Sequence, residues 1–215
     1  MSVFEELAAN KGTISSALGK ALAKKVLQEG QSGILSECID LSTYEKDDVT
    51  SKNIRAGAAK VVEIVAEKRP EMVAPRLEDL LPALSVQEPQ TRWMIIRTMG
   101  FCAHLNKATA QKAIPNAKKY IEEKEGLIIA SSADLFLGDY GAISKEDAKT
   151  VFPILEYSME RAVKNEADWL LEAFYKLYSN LGEKEKNLVL KFAEDWQYSA
   201  RKSTQKRAKR ILRLQ

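Results

Sequence analysis

The sequence predicts an all-α protein, a right-handed α-α superhelix of about five helix pairs, and three observations carry that prediction. Apolar residues recur at helical spacing along the 215-residue chain, while β-branched residues are sparse and do not alternate with polar ones as strands require. Glycine, proline and capping residues cut the chain into segments of helix length. The expected helix starts Thr13, Ser51, Pro89, Leu127, Asn165 and Ser203 are each 38 residues apart, and a period near 40 built from paired helices marks an α-solenoid.

The elements follow in order. A first helix over 2–10 sets Val3, Phe4 and Leu7 against Glu5 and Glu6, the narrow apolar stripe of a terminal helix. Runs over 13–29 and 31–43 are parted by Gly30, which suits a left-handed residue after a helix end. Runs over 51–68 and 70–86 meet at Pro70, and Pro89 opens 89–105; a first-turn proline lacks only an N–H that has no helical partner anyway. Asn106, again read as left-handed, precedes 107–122. Then come 126–140 and 145–163, the latter capped by Ser144 with Asp147 three residues on. The clearest stripe is Trp169, Leu170, Ala173, Phe174, Leu177, Tyr178 and Leu181, in a run over 165–181. Gly182 precedes 183–199, and the last run, 204–214, keeps only Ala208, Ile211 and Leu212 apolar.

Stacking the units aligns the turn residues Gly30, Lys68, Asn106, Ser144 and Gly182. One core column reads Val26, Ile64, Cys102, Tyr140, Tyr178 and another Cys38, Arg76, Ile114, Phe152, Leu190. No helix pair can bury its own stripe, so neighbours must stack and the end helices must face water. The expectation is one domain over 1–215, complete at both ends, with cap helices at 1–12 and 203–215.

Composition excludes several classes. Apolar residues make up 45% and charged ones 29%, a globular balance. The net charge of +3 conceals a split: residues 201–215 hold seven bases and no acid, leaving −4 for the rest. Two cysteines, Cys38 and Cys102, are too few for a disulfide-stapled fold and read as buried free thiols. The acidic N-terminus lacks a leader pattern and no apolar run approaches a membrane span, so a cytoplasmic protein is expected. A single histidine, His104, excludes multi-histidine metal sites, and Gly138-Asp139-Tyr140-Gly141 reads as a turn rather than a phosphate loop. No catalytic residue, cofactor or metal is expected.

The segment Pro75-Arg76-Leu77-Glu78-Asp79-Leu80-Leu81-Pro82-Ala83-Leu84, followed by Arg92, resembles the HEAT-repeat pattern, and the resemblance continues at Ile114-Pro115 and Phe152-Pro153. Arg55 and Arg92 stand near second-helix starts as in that pattern, whereas Ala130 and Asp168 take the corresponding positions in later units of this chain, which depart from it. The resemblance implies a binding scaffold whose second helices line a concave face. Their early polar positions are Arg55, Lys60, Arg92, Arg97, Asp134, Asp168, Glu172, Lys206 and Arg210.

In size, helical content, pI and basic last helix the chain is also similar to the HEAT-like DNA alkylation-repair glycosylases. The Trp-Trp-Asp cluster of those enzymes has no counterpart near Arg92-Trp93. The expected function is a non-catalytic scaffold recognising a protein or acidic peptide, with nucleic-acid binding, including glycosylase activity, as the alternative. A subunit that chaperones an assembly is a third class. The expected binding residues are Arg55, Arg92, Trp93 and Arg97, with Arg201, Lys202, Lys206, Arg207, Lys209, Arg210 and Arg213 of the basic end. Trp169 and Trp196 read as core.

Overall fold

Proline and capping chemistry set the element boundaries in a computed structural model that describes residues 2–9, 16–45, 49–123, 126–163 and 165–214. The described residues are mostly helical and hold no strand. The expected start at Thr13 lies outside them. The chain divides into two compact units, Met1–Ala113 and Ile114–Gln215.

The first unit holds α1 (Val3–Ala8), α2 (Ser16–Glu29), α3 (Ser32–Leu41), α4 (Val49–Lys68), α5 (Pro70–Val73), a 3-10 stretch (Ala74–Ser85), α6 (Pro89–Cys102) and α7 (Lys107–Lys112). Helix α4 packs on both α2 and α6 as one layer. A second layer runs from α1 through α3 and the 3-10 stretch to α7. The second unit holds α8 (Ile114–Glu122), α9 (Leu127–Gly141), α10 (Lys145–Glu160), α11 (Ala167–Leu177), α12 (Glu183–Trp196) and α13 (Lys202–Leu212). There α11 packs between α9 and α13, while α8 and α10 pack on α9 and α12 packs on α13. Leu77, Leu80, Ile95 and Met99 fill the first core; Phe136, Leu155, Leu170 and Phe174 fill the second.

Three local expectations are corrected. The run over 70–86 is not one helix: after α5 it tightens to 3-10 geometry, with Arg76 at φ −114° and ψ 18°, because Pro75 and Pro82 remove two N–H donors from the α ladder. The run over 107–122 breaks at Ala113, where Pro115 lacks the N–H that would continue the ladder. Gly30 has the expected φ of +70°, but Asn106 (φ −140°) and Gly182 (φ −73°) are not left-handed; each is the N-cap of the following helix. Asn106 Oδ1 accepts from Thr109 N at 3.3 Å.

Gly138 and Gly141 form no turn. Both lie inside α9, and Gly138 lets α9 approach α11 so closely that a Cβ there would stand 2.6 Å from the Ala173 Cα. Cys38 and Cys102 are buried free thiols, each pushed up to about 12 by burial and then by a nearby glutamate. Trp169 and Trp196 are half-buried rather than core, and His104 is exposed in the turn after α6. No helix among the described residues is long and apolar enough to cross a membrane.

Candidate functional site

The expected binding residues of the first unit divide by depth. Arg55, expected on an open face, is 4% exposed. Its Nε and Nη2 donate to the two Glu88 carboxylate oxygens at 2.8 Å each, and Nη1 donates to the Tyr44 carbonyl at 2.6 Å. Thr91 Oγ1 donates to the same Glu88 carboxylate at 2.7 Å. Burial pushes the Glu88 carboxyl up, but the Arg55 and Thr91 hydrogen bonds outweigh it and hold the group below the usual carboxylate range. Arg55 therefore ties α4 to the start of α6 and presents no charge to a ligand.

Arg92, Trp93 and Arg97 are half-buried on α6. Lys60 of α4 places Nζ 5.3 Å from the centre of the Trp93 ring and pairs with Glu63 at 2.5 Å. Arg97 stacks its guanidinium 4.4 Å from the Phe101 ring centre. These contacts join a mixed-sign, aromatic surface across α4 and α6, not a continuous basic stripe.

The basic end of the second unit splits into two faces. Arg201, Arg207 and Arg210 turn toward α11. Arg201 Nε lies 3.0 Å from Asp168 Oδ2, and Arg207 Nη1 lies 3.8 Å from that same oxygen. Arg207 and Arg210 both pair with Glu172 Oε2, at 3.1 and 2.6 Å. Their guanidinium planes also lie over Trp169 and Tyr175, 5.4 and 3.7 Å from the ring centres. Ser203 Oγ donates to Asp168 at 2.7 Å, as does the buried Thr204 hydroxyl. Burial raises the Glu172 carboxyl, while Arg210 and then Arg207 lower it further, so it sits below the usual range.

Lys202, Lys206, Lys209 and Arg213 make no ion pair among the described residues. They are exposed and, with Gln205, line one shallow depression of about 450 Å³. Their spacing of four, three and four residues puts them on a single helical stripe. Three of the seven expected cations are thus spent on packing, and four form a surface.

Asp134, expected among the polar positions of an open concave face, is placed elsewhere. It is 1% exposed, on α9. Its Oδ1 accepts no hydrogen bond among the described residues, while Ser158 bonds to the carboxyl. Burial first, and the nearby Glu166 charge second, push it up to about 8. The carboxyl lines a cavity of about 90 Å³ with Ile121, Leu127, Ala130, Tyr157, Ser158, Arg161 and Glu166 at its sides. The signal was in the sequence: α9 reads LIIASSADLFLGDYG, mostly apolar around its circumference, and such a helix is largely buried. Among the described residues no group of three or more His, Cys, Asp or Glu could hold a metal ion.

No family model matches the chain, and no curated protein matches it.

Proposed function

We propose that the chain is a non-catalytic scaffold, a HEAT-like array of stacked helix pairs, that takes an acidic segment of a partner protein on the outer face of α13. The observation that carries this reading is the partition of the basic end. Arg201, Arg207 and Arg210 pair with Asp168 and Glu172, three cations against two anions, so most of the unpaired charge is concentrated in the Lys202–Lys206–Lys209–Arg213 stripe. The 38-residue spacing and the two-layer packing inside each unit support the repeat reading.

At 1.5 Å rise per residue the stripe is about 16 Å long, with cations about 4.5 to 6 Å apart. An extended peptide repeats its same-face side chains every ~6.5 Å, so three acids at alternate positions span about 13 Å and fit within the stripe. Exposed pairs contribute only about 0.2–1 kcal/mol each, so binding is weak and salt-sensitive.

The same cations favour nucleic acid as the second reading, because lysine and arginine stripes also contact phosphates. Fluorescence anisotropy with a labelled Glu-Gly-Glu-Gly-Glu peptide and a labelled duplex separates the two. The expected result is peptide binding that falls at least tenfold when all four cations become glutamine. Tighter duplex binding with a steep salt slope would establish the nucleic-acid reading instead, and release of methylated base from alkylated DNA would make it enzymatic. Binding of neither probe at low salt overturns both.

A further inference from the structure

Helix α9 holds a buried acid with one oxygen left open. Asp134 Oδ1 is fully buried and takes no hydrogen bond among the described residues, and Asp134 is one of the residues that line a cavity. Buried polar groups in folded proteins are almost always satisfied, so the unpartnered oxygen of a cavity-lining carboxyl marks a place for a further donor, an ordered water or a ligand. Glu166, at the same cavity, supplies a second carboxylate; its Oε2 accepts from the Val163 N–H at 2.9 Å, which fixes its position. Ser158 adds a hydroxyl.

We propose that this cavity is a binding site for a small organic cation, an alkyl guanidinium or alkyl ammonium head group, with Asp134 as its floor and Glu166 as its second anion. Size supports that class. At about 90 Å³ the cavity is small beside the ~300–1,000 Å³ of sites for drug-sized ligands, and suits a compact head group. The side walls Ile121, Leu127 and Ala130 suit an alkyl stem leading out of the cavity. Two carboxylates match the fork of a guanidinium better than the fuller oxygen shell of a metal ion.

Arg161, the cation among the lining residues, is turned elsewhere. Its guanidinium lies 3.7 Å over the Tyr157 ring and donates to the Tyr157 carbonyl at 3.3 Å. It leaves Asp134 open, and as a like charge at the rim it opposes a bound cation. The groups facing Asp134 are Tyr157, Ser158 and Arg161 from α10 and its end, and Glu166 ahead of α11; α8 contributes Ile121.

The cation can arrive free or as the end of an arginine or lysine side chain on a partner. Calorimetric titration of the full chain at pH 8.5 uses methylguanidine for the first source and a capped Gly-Arg-Gly peptide for the second, with methylurea as the neutral isostere. Saturable binding of at least one cation and none of methylurea is expected, and the tighter of the two cations identifies the source. Asp134→Asn should weaken binding at least tenfold, and Arg161→Ala should strengthen it severalfold. Because the carboxyl must lose its proton to bind, affinity should rise about fivefold from pH 7 to pH 8 and then level off. If Asp134→Asn does not fold, Glu166→Gln on the rim should still show a severalfold loss. Equal binding by wild type and the folded variants, or no saturable binding of either cation, overturns the proposal.

Discussion

Arg55 and Glu88 face each other through two parallel N–H···O bonds of 2.8 Å, a side-on fork through Nε and Nη2 buried between α4 and the start of α6. Tyr44 and Thr91 satisfy most of what the fork leaves over. Removing one partner strands the other charge, which costs about 3–5 kcal/mol, whereas replacing both by apolar residues of similar volume is close to neutral. Arg55→Met should therefore be severely destabilising, and the added Glu88→Leu should restore most of the loss. Urea unfolding followed by the fluorescence of Trp93, the one tryptophan of residues 1–113, checks this in a chain with Trp169 and Trp196 changed to phenylalanine.

Asp168 performs the same task with the charges reversed. It is 1% exposed on α11 and holds the first turn of α13 through Ser203, Thr204 and Arg201. Asp168→Ala removes an acceptor from two hydroxyls and its charge from two guanidinium groups, a loss of about 2–4 kcal/mol concentrated on α13. Hydrogen exchange should show protection falling across 202–212 while 127–141 is unchanged. Equal loss in both segments would contradict a role local to α13.

These two clasps show what the sequence could and could not disclose. Helix positions were legible because amphipathic stripes and capping residues are local signals, and α4, α6, α9 and α12 begin at or within two residues of their expected starts. Charge partnering was not legible. Arg55 and Glu88 are 33 residues apart, and Asp168 and Thr204 are 36, so nothing nearby in the chain marks them as partners. Arg55 and Asp168 are expected on an open concave face because charged residues are usually exposed. The basic end was found as a segment, but its division into packing and exposed faces needed the position of Glu172 on α11. Asp134 was the one misplacement a local signal could have prevented, since its helix lacks a polar face.

Glycine substitutions should separate close approach from simple flexibility. A Cβ at Gly138 would stand 2.6 Å from the Ala173 Cα, a backbone atom that cannot yield without α9 and α11 moving apart. Gly138→Ala should destabilise the second unit by about 1–3 kcal/mol. Gly33, in α3, has nothing within 4 Å of the same construction, so Gly33→Ala should stabilise by about 0.5–1 kcal/mol. Paired thermal melts give the two shifts with opposite sign.

Stability should fall with rising pH because of Asp134. Its carboxyl ionises near 3.8 when unfolded and at about 8 when folded, so between those values the unfolded chain has released a proton the folded chain still holds. Each pH unit in that window then removes about 1.4 kcal/mol per proton of difference, and the stabilisation is lost as pH passes through the folded value. Glu88 and Glu172 act in the opposite sense and in another window. Their lowered values give stability that is present above pH 4.5 and lost as pH falls through their folded values. Urea midpoints measured from pH 5 to pH 8.5 should decline for the wild-type chain. In Asp134→Asn, which keeps the shape without the titration, that decline should flatten, so that the variant is the more stable protein at pH 8.5. An unchanged decline in the variant would place its source elsewhere.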